Sequence, residues 1–271
     1  MRKNWRKYNG ALISNLPPHK DVDTQNLISK IKDSKALFAR WVSDFDCKEE
    51  MPFWYIIKDD NTDIDSYSSN TRNQIRKGIK NCEVRIIDKS ELEKHGYSIY
   101  KAAFKTYKGS QKLSNEKDFL VSLGDEFHYW GIYNKENCLI GYAQNRISYN
   151  SCDYSTIKIH PDFLKDYPFY ALFYLMNQYY LSKLKLAYVS DGARSISHQT
   201  NIQDFLVKKF KFREAYCNLH VVYHPFIRPI VMLLFSIRKV LVFFPFNLFA
   251  SVNTILIQEE IRRNCKIKTI C

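Results

Sequence analysis

The chain has 271 residues, 45% hydrophobic and 15% aromatic, with eight Gly and eight Pro. This excludes a disordered or low-complexity protein and allows one large domain, or one domain with an appendage. Lys and Arg number 41 against 28 Asp and Glu, a net +13, so the expected partners are anionic: nucleic acid, anionic lipid or nucleotide-bearing substrates. The seven cysteines are odd in number, none is spaced Cys-x-x-Cys, and the charged N-terminus has no apolar run behind it. Reduced thiols in a cytoplasmic protein are therefore expected, rather than a disulfide frame, a zinc site or a secretion signal.

In chain order, residues 5–14 suggest a first strand stopped by Pro17-Pro18, and 22–32 a helix with Val22, Leu27, Ile28 and Ile31 inward. A short segment holds Leu37, Phe38, Trp41 and Val42, and Phe53–Ile57 reads as the first strong strand. Ser68–Lys80 reads as a helix capped by Ser69 or Asn70, with Ile75 and Ile79 inward. Gly78 is expected to weaken that helix by ~1 kcal/mol relative to Ala. Arg72, Arg76 and Lys80 recur every four residues along it. This basic stripe is either a solvated face or a contact for a phosphate-rich substrate, to which arginines bond in bidentate fashion.

A strand at Val84–Ile87, helices at Glu91–Tyr107 and Asn115–Leu123, and strands at Phe127–Tyr133 and Leu139–Ser148 follow, the last two joined by a turn at 134–137. Cys152–Ile159 is another strand, closed by His160-Pro161. Pro168 opens a helix running to Leu181 that is apolar nearly all round, so its many rings belong to a core. Leu186–Val189 is a short buried strand ending at Asp191-Gly192. A polar loop, Arg194–Gln199, leads to a helix capped by Thr200 or Asn201 with Ile202, Phe205, Leu206 and Phe210 inward, and Phe212–Tyr223 is a final strand.

Strand, polar loop, helix, strand places ligands beyond the strand's carboxyl end, near Asp191, Arg194, Ser195, His198 and Asn201. His198, with an ordinary pKa near ~6.5, could be a general base or a structural hydrogen-bonder. Asp191 could orient it, bind an acceptor, or merely make a turn. Asp153, early in the preceding strand, is a further base. No Gly-x-Ser-x-Gly elbow, Walker loop, Rossmann glycine set or His-Glu-x-x-His occurs.

Residues 186–223, with Asn201 at a helix start and Lys211-Phe212 before the last strand, resemble the second half of the GNAT acyltransferase fold. Residues 71–86, an Arg-rich helix before a strand, resemble the Fem-type branch found among bacterial envelope and surface-polysaccharide proteins. The resemblance implies a mixed α/β (α+β) fold. Its central sheet would be mostly antiparallel, with one splayed parallel strand pair flanked by helices. It implies a GNAT-like domain over 1–225, with 1–50 an N-terminal extension. It further implies acyl transfer, from acyl-CoA (acetyl-CoA foremost) to an amine such as an amino sugar of a surface glycan, without a metal. Asp191, His198 and Asp153 would be catalytic, Asn201, Arg194 and Lys165 would hold the cofactor, and Arg72 and Arg76 the substrate.

The chain departs from the family at two places. The segment Asp162–Ala171, where the family's Gly-rich pyrophosphate loop would lie, has no glycine, and Pro168 removes a backbone donor. Val207 stands where the family often has a tyrosine acid. Two alternatives thus stay open: Fem-type aminoacyl transfer from aminoacyl-tRNA, and a basic, non-catalytic membrane-surface module. After Pro225 the chain turns apolar and aromatic, with Arg228, Arg238, Lys239, Arg262 and Arg263 interspersed. This 226–271 tail is expected to be helical. It would pack on the domain or lie on an anionic membrane surface at the inner face of the cell membrane, and Pro245 and the embedded amides argue against a span.

Overall fold

The computed structural model describes residues 5–106, 113–196, 201–238 and 246–267. The contacts divide the chain into two compact units, each assembled from separate stretches. The first comprises 1–56, 193–201 and 214–271, and the second 57–192 and 202–213.

In the first unit, β1 (Trp5–Tyr8) and β2 (Ala11–Ser14) form a hairpin where a single strand was expected. The cause lies at the tip: Asn9 and Gly10 both take positive φ, 46° and 78°, the pair of values a two-residue hairpin turn demands. Helix α1 (Leu27–Asp33) is shorter than its apolar pattern suggested and buries Leu27 and Ile31. The segment around Leu37–Val42 is a ten-residue strand, β3 (Phe38–Cys47). It pairs parallel to β2 and antiparallel to β10 (Arg213–Tyr223). The β2–β3 ladder is a second parallel pairing beside the one expected. The tail forms α7 (Ile227–Ser236) and α8 (Phe246–Ile267). Val231, Phe235, Leu256, Ile261 and Cys265 join Phe38, Phe53, Leu219 and Val221 in one core. Among the described residues no helix is long and apolar enough to cross a membrane.

The second unit holds the parallel pair expected to splay. Strand β4 (Trp54–Lys58) leads into it, and α2 (Ser69–Asn81) follows. Ser68, rather than Ser69 or Asn70, caps α2 by accepting from Thr71 N–H at 3.3 Å. Ile75 is buried, but Ile79 is exposed, contrary to expectation. Strand β5 (Glu83–Ile87), helices α3 (Lys89–Phe104) and α4 (Glu116–Ser122), and strands β6 (His128–Tyr133), β7 (Leu139–Ser148) and β8 (Ser151–Ile159) come next. The ladders β5–β6, β6–β7 and β7–β8 are antiparallel. A 3-10 turn (Pro161–Asp166) opens α5 (Pro168–Asn177), which continues as a π-turn (Gln178–Lys183). Strand β9 (Tyr188–Ala193) then pairs parallel to β8, and α6 (Asn201–Phe210) closes the unit.

Helix α5 is the core element its sequence announced: Ala171, Leu172, Phe173 and Met176 are fully buried, and Phe173 packs on Phe205 and Phe210 of α6. Gly78 allows α2 to approach it. A Cβ there would lie 2.5 Å from the Tyr167 carbonyl oxygen and 3.1 Å from Ala171 N. Close backbone approach, more than helix weakening, accounts for this glycine.

Candidate active site

The site is built where β8 and β9 part. Their ladder has three rungs, Ser151↔Tyr188, Cys152↔Val189 and Asp153↔Ser190. Beyond it β8 runs on to Ile159 and β9 to Ala193. A register shift in β8 explains the divergence: β7 residues Gln144 and Asn145 face Thr156 and Tyr154, so Ser155 is an extra, bulged residue. A bulge bends its strand, and bulges gather beside active sites. Here it follows the last β9 rung by two residues. The paired register of β8 and β9 therefore stops at Asp153 and Ser190.

Side-chain alternation then sorts the residues by face. Cys152 pairs with Val189, so Tyr154 and Asp191, each two residues further on, continue that face. Cys152, Tyr154 and Val189 are all buried. Asp153 and Ser190 take the other face. Burial is accordingly the main force on Asp191, with the neighbouring Asp153 charge second, and together they lift its carboxyl to about 7. Asp153 accepts a hydrogen bond from Ser155 Oγ at 2.9 Å and stands directly across β7 from Arg146. The two carboxylates thus meet unequal surroundings, the arrangement that separates an acid from a base.

Behind Asp191 lies a buried polar cluster that the sequence reading assigned to plain core. Tyr180, on the π-turn, accepts from Trp130 Nε1 at 2.8 Å and from Asn145 Nδ2 at 3.2 Å, and His128 Nδ1 lies 3.1 Å away. Tyr154 OH donates to Asn177 Oδ1 at 2.8 Å. Burial pushes the Cys152 thiol and the Tyr154 and Tyr180 hydroxyls upward, so Cys152 is an inert thiol rather than a nucleophile. The cluster continues toward Lys58, whose buried ammonium bonds Asp60 and Thr62 and is lowered by desolvation. Tyr67 OH and Asn177 Nδ2 are buried there with no hydrogen bond of ordinary geometry among the described residues. A buried polar group left unsatisfied calls for a specific explanation, a catalytic role or a bound water or ion among them. The π-turn, which periodicity could not reveal, joins the Ser155 bulge as a local irregularity that marks the place.

The other expected residues fall as follows. Lys165 is exposed on the 3-10 turn before α5. The helix start beside it offers few donors: Tyr170 and Ala171 N–H both turn to Tyr167 O (3.1 and 3.4 Å), Tyr167 N–H turns to Leu164 O, and Pro168 has none. Tyr167 itself holds φ 61°, a conformation in which glycine is usual. Arg72 and Arg76 converge on Asp65 at 3.6 and 3.7 Å. Arg194 and Asn201 belong to the first unit. Arg194 donates from Nη1 to Pro52 O at 2.6 Å, and Asn201 is exposed at the start of α6. His198 lies outside the described residues. Val207 is 41% exposed. Among the described residues no His, Cys, Asp and Glu cluster could hold a metal ion.

No protein-family model matches the sequence. No curated protein matches it either. Solved structures do. FemX superposes with a TM-score of 0.56 at 11% identity, covering 84% of this chain and 85% of that one. The fold is GNAT-like. L-PGS from Bacillus licheniformis gives 0.52 at 10% identity, covering 96% and 86%. The C-terminal domain of a putative lysylphosphatidylglycerol synthetase from Agrobacterium fabrum gives 0.50 at 8%, covering 81% and 79%. At such identities the likeness is one of fold.

Proposed function

We propose that the protein transfers an acyl group from an activated donor to an amine, with the chemistry at the β8–β9 divergence. The observation that carries this reading is the Asp153–Asp191 pair at the end of a three-rung parallel ladder. A carboxyl with a pKa of about 7 is half ionised at neutral pH and suits a general base. The acceptor's nitrogen attacks the donor's acyl carbonyl, Asp191 takes the ammonium proton, and the donor's sulfur or oxygen leaves with the bonding pair. In the first reading the donor is an acyl-CoA, acetyl-CoA foremost, with its thioester arm in the slot and Lys165 toward its phosphates. An amino sugar of a surface glycan precursor is the preferred acceptor.

A second reading, aminoacyl transfer from aminoacyl-tRNA, draws support from three observations. The backbone donors before α5 are mostly engaged. The exposed face of α2 carries Arg76, Lys77 and Lys80. The fold likeness to FemX and L-PGS extends over most of the chain.

Isothermal titration with acetyl-CoA, with aminoacyl-tRNA and with both in high salt separates the readings. Micromolar acetyl-CoA affinity supports the first, and salt-sensitive RNA affinity alone supports the second. Binding of neither removes the transferase reading.

A further inference from the structure

Arg40 lies on β3 between Ile13 of β2 and Val221 of β10, on the face that packs against the tail helices. Phe38 and Val42, two residues away on either side, share that face and belong to the same core. Arg40 Nη1 donates to Oε1 of Gln258 on α8 at 3.1 Å. Burial presses the guanidinium below its usual range, and the ionisable groups that oppose this are the Tyr55 and Tyr8 phenols, with no carboxylate among them. A guanidinium keeps its proton in proteins, so the charge stays. No Asp or Glu pairs with it among the described residues, and the residues outside the described ranges include neither acid. Glu259, next to Gln258 in sequence, is buried under Arg262, Arg263 and the Tyr223 hydroxyl.

Gln258 carries a second unmatched group. Its side chain is 2% exposed, and Nε2 is buried with no hydrogen bond among the described residues. Turning the amide over would aim Nε2 at the guanidinium, donor against donor, so Arg40 fixes its orientation. An unneutralised cation and an unsatisfied amide donor therefore stand side by side, and each costs stability when buried. Water accepts from the amide but leaves the charge. One oxyanion answers both. The planar fork of arginine takes two oxygens of a carboxylate, which leaves none for the amide, whereas phosphate has further oxygens to reach it. Arg40 is half-buried and Tyr8 is 56% exposed, so the site has an open side for an ion.

We propose that Arg40 and Gln258 form a phosphate site between β3 and α8, which takes the phosphate of a small ester or of a lipid headgroup. Both residues lie in the first unit, so the site uses neither the β8–β9 divergence nor its carboxylates and stands apart from the transferase reading.

The test is thermal denaturation of the full chain in phosphate-free buffer, with inorganic phosphate, and with dihexanoyl phosphatidylglycerol below its micelle concentration. Chloride at matched ionic strength is the control. A saturating phosphate probe should raise the transition of the parent by about 5 °C over chloride. Response to inorganic phosphate assigns the site to free phosphate and small esters, and response to the lipid alone assigns it to a headgroup. Arg40→Met removes the bare charge, so it should melt no lower than the parent without phosphate and should respond to neither probe. Gln258→Glu supplies the missing anion from within the chain. It should melt higher than the parent without phosphate and bind the probe at least tenfold more weakly. Either variant suffices should the other fail to fold. A parent that responds equally to phosphate and chloride overturns the proposal. So does a parental phosphate response retained in a folded variant, because the anion then binds elsewhere on this basic chain.

Discussion

Asp153 occupies the last rung between β8 and β9, and its charge, added to burial, holds the Asp191 carboxyl near 7. The pair lies on opposite faces of the sheet at the point where the two strands separate. In the proposed reaction Asp191 is the proton acceptor, on the same face of β9 as the buried Val189.

Asp191→Asn should remove turnover by a factor of 100 or more once an acceptor is in hand, the scale expected for losing a general base. It should also stabilise the fold at alkaline pH. The folded-state pKa of about 7 lies above the ordinary 3.8. The folded state therefore holds the extra proton between those values, its contribution is complete below the lower one, and it is lost as pH rises through the upper one. The Asn variant should gain about 4 kcal/mol over the parent at pH 8 and little at pH 4, read by urea denaturation at both. Equal pH dependence in parent and variant contradicts the assignment.

Asp153→Asn takes away the secondary cause and leaves burial. The apparent pKa governing the rate should fall by up to about one unit while substantial activity remains. A rate profile that does not move would show that Asp153 carries no charge felt at Asp191.

Gly78→Ala separates two explanations of one residue. Helix propensity favours the alanine by ~1 kcal/mol. The packing of α2 against α5 opposes it, because the new methyl would meet the Tyr167 carbonyl at 2.5 Å. The variant should be destabilised by about 2 kcal/mol, and a gain in stability would mean the helices have room to part.

Much of this was legible in the sequence. Proline at the start of α5, the run of rings behind it and the Asp191-Gly192 end of a buried strand gave the sheet-and-helix order around the slot. The β1–β2 hairpin was missed because its signal is two residues, Asn9-Gly10, inside a short apolar pattern. Ile79 lies at the edge of the buried face of α2, which is centred on Thr71, Ile75 and Gly78. The bulge at Ser155 and the π-turn under Tyr180 are single-residue departures from regular ladders, which periodicity averages away.

Tyr180→Phe tests whether the cluster behind Asp191 is more than filling. It leaves the Trp130 and Asn145 donors without their acceptor inside the core. A loss of about 2–3 kcal/mol is expected by thermal denaturation. A variant as stable as the parent would mean that water takes the hydroxyl's place.

Hydrogen exchange along β8 tests the central claim most directly. Past Asp153 the amides of β8 that face β9 have no ladder, so residues 154–159 should exchange faster than those of β7 in the free protein. Adding the true donor, acetyl-CoA or aminoacyl-tRNA, should protect 154–159 and 190–193 together. Slow exchange of 154–159 in the free protein, or no protection there from a donor that binds, would contradict the account.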